Sequence, residues 1–255
     1  MDMLTTTRSV KIFLTSGKVE DIKDELVQEF RLHIRLDSKE YAEAVLSCSL
    51  LEEFVLGFLF TRGLIKNIDD ILSLDIAGNV ASIKRKLTGK DLQPVTLIES
   101  TGSSNIDTGQ FSGPDSILRE SNFTITPEIL FQGVDLLSEM PLYRRTGASH
   151  CAILLSSEGD RLVSADDIGR HNTVDKCIGG GLKKGVDFGK CWIAVSGRLP
   201  SDMVYKAAIA GMPLIASVSA ATSDGVKMAE KAGITLVGFT RGNKFSCYCH
   251  SERIV

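Results

Sequence analysis

Trp192-Ile193-Ala194-Val195, Pro213-Leu214-Ile215-Ala216-Ser217-Val218 and Thr235-Leu236-Val237-Gly238-Phe239 are three short apolar runs of strand length. Between them lie Ser201 to Ala210 and Asp224 to Lys231, which read as helices. Strands that alternate with helices need crossover connections, and crossovers cover the faces of a largely parallel sheet. Just upstream, Cys151 to Leu155 and Leu162 to Ala165 flank Gly159-Asp160 as a hairpin, and Asn172 to Leu182 reads as a helix. The expected fold class is therefore α/β.

Working outward toward the N-terminus, Phe30, Leu32, Ile34 and Leu36 alternate with polar residues, the period of a strand with one buried face. Leu51, Phe54, Val55, Phe58 and Leu59 recur at helical spacing, with Ser49 and Glu52 placed like a capping box and Gly63 like a stop. Further strands are expected at Val80 to Leu87 and Val95 to Ser100. A polar, Gly/Ser-rich loop follows from Thr101 to Asn122, long enough to suggest a role at a site. Thr126 and Pro127 then open a helix carrying Ile129, Leu130, Val134 and Leu137. Two domains are expected: an N-terminal α+β domain over 1–125 ending in the loop, and a second domain over 126–255.

The chain has 255 residues, 43% hydrophobic and 24% charged, with a net charge of −3. So small a net charge argues against nucleic acid or an anionic membrane as the main partner. No secretory signal and no run of about 20 apolar residues is evident, so a soluble, cytoplasmic protein is expected. Its six cysteines are scattered and contain no C-x-x-C pair, which points to reduced thiols rather than a disulfide framework.

Three polar clusters carry the candidate chemistry. The densest joins Arg144 to His150 with Asp166, Asp167, Gly169, Arg170, His171, Asn172, Asp175 and Lys176. If the hairpin closes as read, His150, His171 and the acidic pair meet at one end of the sheet. The alternative is a solvated turn before a helix capped by Asp167 or Asn172. In the second cluster, Ser196, Gly197, Arg198, Ser201, Asp202 and Lys206 follow a strand and open a helix, the place where α/β proteins hold phosphate. A plain N-cap at Ser201 fits this pattern as well. The third, Phe239-Thr240-Arg241-Gly242-Asn243-Lys244, sets an aromatic beside cations after the last strand, which suits a nucleotide base and its phosphate. A basic surface turn is the alternative. His250 and Glu252 spell the H-x-E of zinc deaminases, but no P-C-x-x-C follows, so zinc is not expected and Cys247 and Cys249 read as an exposed thiol pair.

Arg145-Thr146-Gly147-Ala148-Ser149-His150, Asp166 through Lys176, Ser196-Gly197-Arg198 and Lys206 through Pro213 together resemble the signatures of the formate dehydrogenase accessory (FdhD/NarQ) family. Ala216 to Thr222, Gly238 to Gly242 and Leu51 to Ile65 extend the likeness to nearly the whole chain. The resemblance implies a C-terminal cytidine deaminase-like α/β domain without zinc, preceded by a smaller α+β domain. It also implies a homodimer that takes sulfur from a cysteine desulfurase and passes it to the molybdenum bis(molybdopterin guanine dinucleotide) cofactor before insertion into formate dehydrogenase. Guanine nucleotide would serve as a surrogate ligand. The cofactor site would correspond to Phe239, Thr240, Arg241, Gly242, Asn243 and Lys244, with Arg170, His171, Asn172 and Arg198 beside it.

One departure bears on the chemistry. Sulfur-carrying members use a C-x-x-C motif in the loop before the second domain, whereas the matching stretch here, Ser100-Thr101-Gly102-Ser103-Ser104-Asn105-Ile106-Asp107, has no cysteine. A serine hydroxyl forms no persulfide. Either another thiol substitutes, Cys151 beside the imidazole of His150 being the natural candidate, or the chain binds and chaperones cofactor without transferring sulfur.

Overall fold

The computed structural model describes residues 3–86 and 122–255. The strand expected over 95–100, the loop from 101 to 121 and the stretch matching the C-x-x-C loop lie outside the described residues.

The C-terminal half follows the alternation of its sequence. Strands β7 (His150–Ser156), β8 (Arg161–Asp167), β9 (Cys191–Val195), β10 (Leu214–Ser217), β11 (Thr235–Arg241) and β12 (Lys244–Cys249) form one sheet in the order β12-β11-β10-β9-β7-β8. β9, β10 and β11 run parallel, while β7, β8 and β12 are added antiparallel to their neighbours. Helices α4 (Arg170–Lys184), α5 (Ser201–Ala210) and α6 (Ser223–Ala232) share one core with one face of the sheet, through Leu154, Val174, Ile178, Ile193, Met203, Ala207 and Ala229. Helix α2 (Pro127–Asp135) covers the other face, where Leu130 and Val134 meet Trp192, Leu214 and Val237. Thr126 accepts from the Ile129 N–H, so α2 starts where its capping pair predicts.

Ahead of this unit, β3 (Phe30–Leu36), β4 (Lys39–Leu46), β5 (Ile71–Ala77) and β6 (Val80–Arg85) make a four-stranded sheet in the order β4-β3-β6-β5. Helix α1 (Leu51–Thr61) lies on it with Phe54, Val55, Phe58 and Leu59 fully buried. A hairpin of β1 (Thr5–Phe13) and β2 (Val19–Val27) precedes the sheet and touches α3 (Pro141–Thr146) through an Arg145–Glu25 ion pair. β1, β2, β4, β5, α3 and β12 were not marked by the periodicity. β1 and β2 are largely exposed on both faces, so neither shows a buried alternation.

The two sheets are joined back to back through α1 and α4. A methyl group at Gly57 would overlap the carbonyl oxygen of Asp175, and one at Gly179 the carbonyl of Glu53. Glycine at both positions lets the helix backbones touch.

The expected capping box at Ser49 is not formed. The N-cap is Leu50, in the left-handed region at φ 52 with no side-chain cap. The Ser49 hydroxyl instead lies 3.4 Å from Lys176 Nζ, drawn to a buried ammonium that needs acceptors more than a helix end needs a cap.

Candidate functional site

The polar run from Asp166 to Lys176 divides into an inward and an outward set. β8 delivers Asp167 to the join between the two sheets, where it is 0% exposed. One carboxylate oxygen accepts from Gly169 N and Asn172 Nδ2, both at 2.8 Å. The other accepts from Ser47 N at 3.0 Å and from Lys176 Nζ at 2.5 Å. Asn172 also donates to the Val45 carbonyl, and Lys176 to the Ser47 carbonyl. One turn along α4, Asp175 accepts from Thr61 of α1 at 2.9 Å and from Lys206 of α5 at 2.5 Å. Buried ion pairs of this kind add little net stability over apolar packing, but they penalise any arrangement that leaves one charge alone. Their effect here is to fix α4 against α1 and β4.

Two expected ligand contacts are therefore placed inside. Asn172 is buried and spends both amide hydrogens on Val45 and Asp167. His171 is 2% exposed, and its Nε2–H is given to Asp202 Oδ2 at 2.8 Å. Burial lowers its pKa, while Asp202 opposes that shift. Thr240 is buried too, with its hydroxyl unpartnered.

The outward set lies at the carboxyl ends of the parallel strands. His150 is paired with Asp167 across β7 and β8, and Ser196, the residue after β9, donates its N–H to the Cys151 carbonyl. Arg170, at the start of α4, packs so closely over Gly197 that a Cβ there would stand 3.1 Å from its side chain. Arg198 is exposed beside it. Two strands away, about 10 Å, the β11–β12 hairpin pairs Arg241 with Lys244 across Gly242 and Asn243, all four exposed.

Phe239 is the unusual residue of this end. It adopts φ 53, a left-handed conformation costly for a bulky side chain, and remains 38% exposed. Its N–H is held by the Ser219 carbonyl at 2.9 Å, against which Gly238 also packs. The Arg241 guanidinium lies 5.5 Å from the ring centroid, within cation–π range.

The expectation for Cys151 is not met. Neighbouring residues of a strand face opposite sides of the sheet. Cys151 lies in the α2-side core with Ile153 and Leu155 and is 1% exposed, whereas its neighbour His150 bonds Ser196 Oγ through Nδ1. Its thiol donates to Asp166 Oδ1 at 3.3 Å, and burial followed by that carboxylate pushes its pKa far up. Burial also raises Cys177 to about 12, Cys191 to about 11 and Cys249 to about 11. Cys247 and Cys249 are no exposed pair: both stand half-buried on β12, donating to the carbonyls of Cys249 and Ile234. His250 faces Glu252 at 3.3 Å, and among the described residues no group of three metal-ligating side chains is gathered.

Ser47, Thr61 and Ser219 each hold a motif residue in place, a role the sequence did not assign to them, although Thr61 and Ser219 lie in segments that carry the family resemblance. Ser47 and Thr61 lie 120 and 114 positions from the carboxylates they meet, so no local pattern ties them to those partners.

Comparison with known proteins agrees with this architecture. A profile of the FdhD/NarQ family matches residues 27–255. The sulfur carrier protein FdhD of Methanothermobacter thermautotrophicus is 32% identical over 250 residues, covering 97% of this chain and 98% of the relative. The protein of the same name from Sulfurisphaera tokodaii is 34% identical over 255 residues, covering 97% and 99%. A crystal structure described as a formate dehydrogenase accessory protein from Desulfotalea psychrophila has the same fold, with a TM-score of 0.81 over 99% of this chain and all of that one, at 24% identity. With a profile spanning most of its length and relatives of this identity over nearly all of it, the chain belongs to the FdhD/NarQ family.

Proposed function

We propose that this chain binds the molybdenum bis(molybdopterin guanine dinucleotide) cofactor as cargo during formate dehydrogenase maturation, and acts chiefly as its chaperone. The carrying observation is Phe239, whose ring is held out at the carboxyl end of β11 in a strained backbone conformation with Arg241 alongside. Exposing a strained aromatic has no packing benefit, whereas stacking a planar base on it does. Arg170, Arg198, Arg241 and Lys244 supply cations for phosphates across the width of three strands.

Guanosine diphosphate serves as the probe. Phe239→Gly relieves the backbone strain and removes the stacking face, so the variant is expected to be at least as stable as the parent yet to bind the nucleotide about 1–3 kcal/mol more weakly. Unchanged affinity in that variant excludes the stacking site.

The names of the relatives favour a second reading, a sulfur carrier fed by a cysteine desulfurase. It requires a reactive thiol, and four of the six cysteines are deeply protonated by burial. Incubation with a cysteine desulfurase and labelled cysteine, followed by non-reducing mass spectrometry, separates the two. The chaperone reading expects no persulfide on any cysteine with nucleotide still bound, and a persulfide at one cysteine establishes a relocated carrier.

A further inference from the structure

We propose that Ser196 is a positioning residue of this site, setting the tautomer of His150 so that its Nε2–H meets the ligand as a neutral hydrogen-bond donor. The inference rests on the reading that an anionic nucleotide is held at the carboxyl ends of β9 and β11.

Ser196 is locked in place by two bonds to one residue: its N–H donates to the Cys151 carbonyl at 3.0 Å, and its Oγ accepts the Cys151 N–H at 2.9 Å. The same Oγ lies 3.2 Å from His150 Nδ1. The oxygen accepts from the backbone, and in this assignment the hydroxyl proton goes to the Nδ1 lone pair, the acceptor beside it among the described residues. A neutral imidazole carries a single proton, so accepting at Nδ1 puts that proton on Nε2. Nε2 has no hydrogen-bond partner among the described residues, and the ring is half-buried. The charged or titratable groups facing the ring are Arg170 and His171 of α4, which oppose a second proton, and Asp167 of β8, which favours it; with burial, the opposing effects prevail.

The chemistry suits a phosphate oxygen already met by Arg170. A neutral N–H adds a directed bond there without adding a second buried cation that would have to be desolvated. His171 is held the other way round: its Nε2–H is given to the Asp202 carboxylate and the ring is 2% exposed, so that proton is already spent inside the protein.

The test uses the full chain labelled with 15N-histidine, and long-range 15N–1H spectra with and without guanosine diphosphate. His150 is expected to show an unprotonated Nδ1 and a protonated Nε2, and the nucleotide is expected to shift the Nε2–H. Ser196→Ala should spread the proton over both nitrogens and weaken binding about three- to tenfold, the worth of one hydrogen bond. Ser196→Thr keeps the hydroxyl and should restore both. A proton on Nδ1 in the parent, or a Ser196→Ala variant with unchanged tautomer and affinity, overturns the proposal while leaving the nucleotide site standing. If the parent binds no nucleotide, the site reading fails, and the ligand role of His150 fails with it even where the tautomer is as stated.

Discussion

Lys176→Met tests whether the Asp167–Lys176 pair holds the two halves of the molecule together. Both side chains are 0% exposed, 2.5 Å apart, and the ammonium also donates to the Ser47 carbonyl. Methionine fills most of the stem volume but leaves the Asp167 carboxylate buried without a counter-ion. Breaking one side of such a pair costs about 3–5 kcal/mol. At about 2–4 °C per kcal/mol for a chain of this size, the midpoint of thermal unfolding should fall by roughly 6–20 °C. Circular dichroism and urea titration measure the loss. Lys183→Met is the control: its bridges to Glu52 and Glu53 lie at the surface, so its removal should cost no more than about 1 kcal/mol. The double variant Asp167→Asn/Lys176→Met leaves no bare charge and should recover part of the single-variant loss. A Lys176→Met cost like that of Lys183→Met, or a double variant no more stable than the single, would refute the reasoning.

The remaining predictions concern packing, pH and thiols. Gly57→Ala places a methyl group on the Asp175 carbonyl and should destabilise by about 3 kcal/mol or more, since two helix backbones must separate; a change below about 1 kcal/mol in the urea titration contradicts that contact. His150 and His171 both have pKa values lowered from 6.5 chiefly by burial, so the unfolded chain binds more protons than the native one below that value. Their contribution to stability is therefore complete above pH 6.5 and is lost as pH falls through the folded values. Urea midpoints from pH 8 to pH 5 should show the decline, and His171→Gln should flatten it. Cys151 should resist iodoacetamide at pH 8 in the folded protein and react only after unfolding, and rapid native-state labelling would contradict its burial.

Much of the fold was legible because periodicity is local. The apolar runs at β9, β10 and β11 and the helices between them carry their own evidence within a few residues, and the Thr126-Pro127 pair announces α2. Strands such as β1 and β2 were not legible, because a strand exposed on both faces has no hydrophobic alternation to read. The hairpin about Gly159-Asp160 closes as its sequence reads and brings His150 opposite Asp167 at one end of the sheet.

What the sequence determined by itself is the α/β class, the placement of polar clusters at strand ends and the family signatures. Tertiary structure alone decided which residues of those clusters look inward. Asp167 meets Ser47 across 120 positions, and Asp175 meets Thr61 across 114. A buried charge is satisfied by whatever donor folding brings to it, and no short-range pattern records a donor that far away. For the same reason Cys151 and His150, adjacent in the chain, are held in separate environments by the pleat of one strand, the thiol in the α2-side core and the imidazole against Ser196.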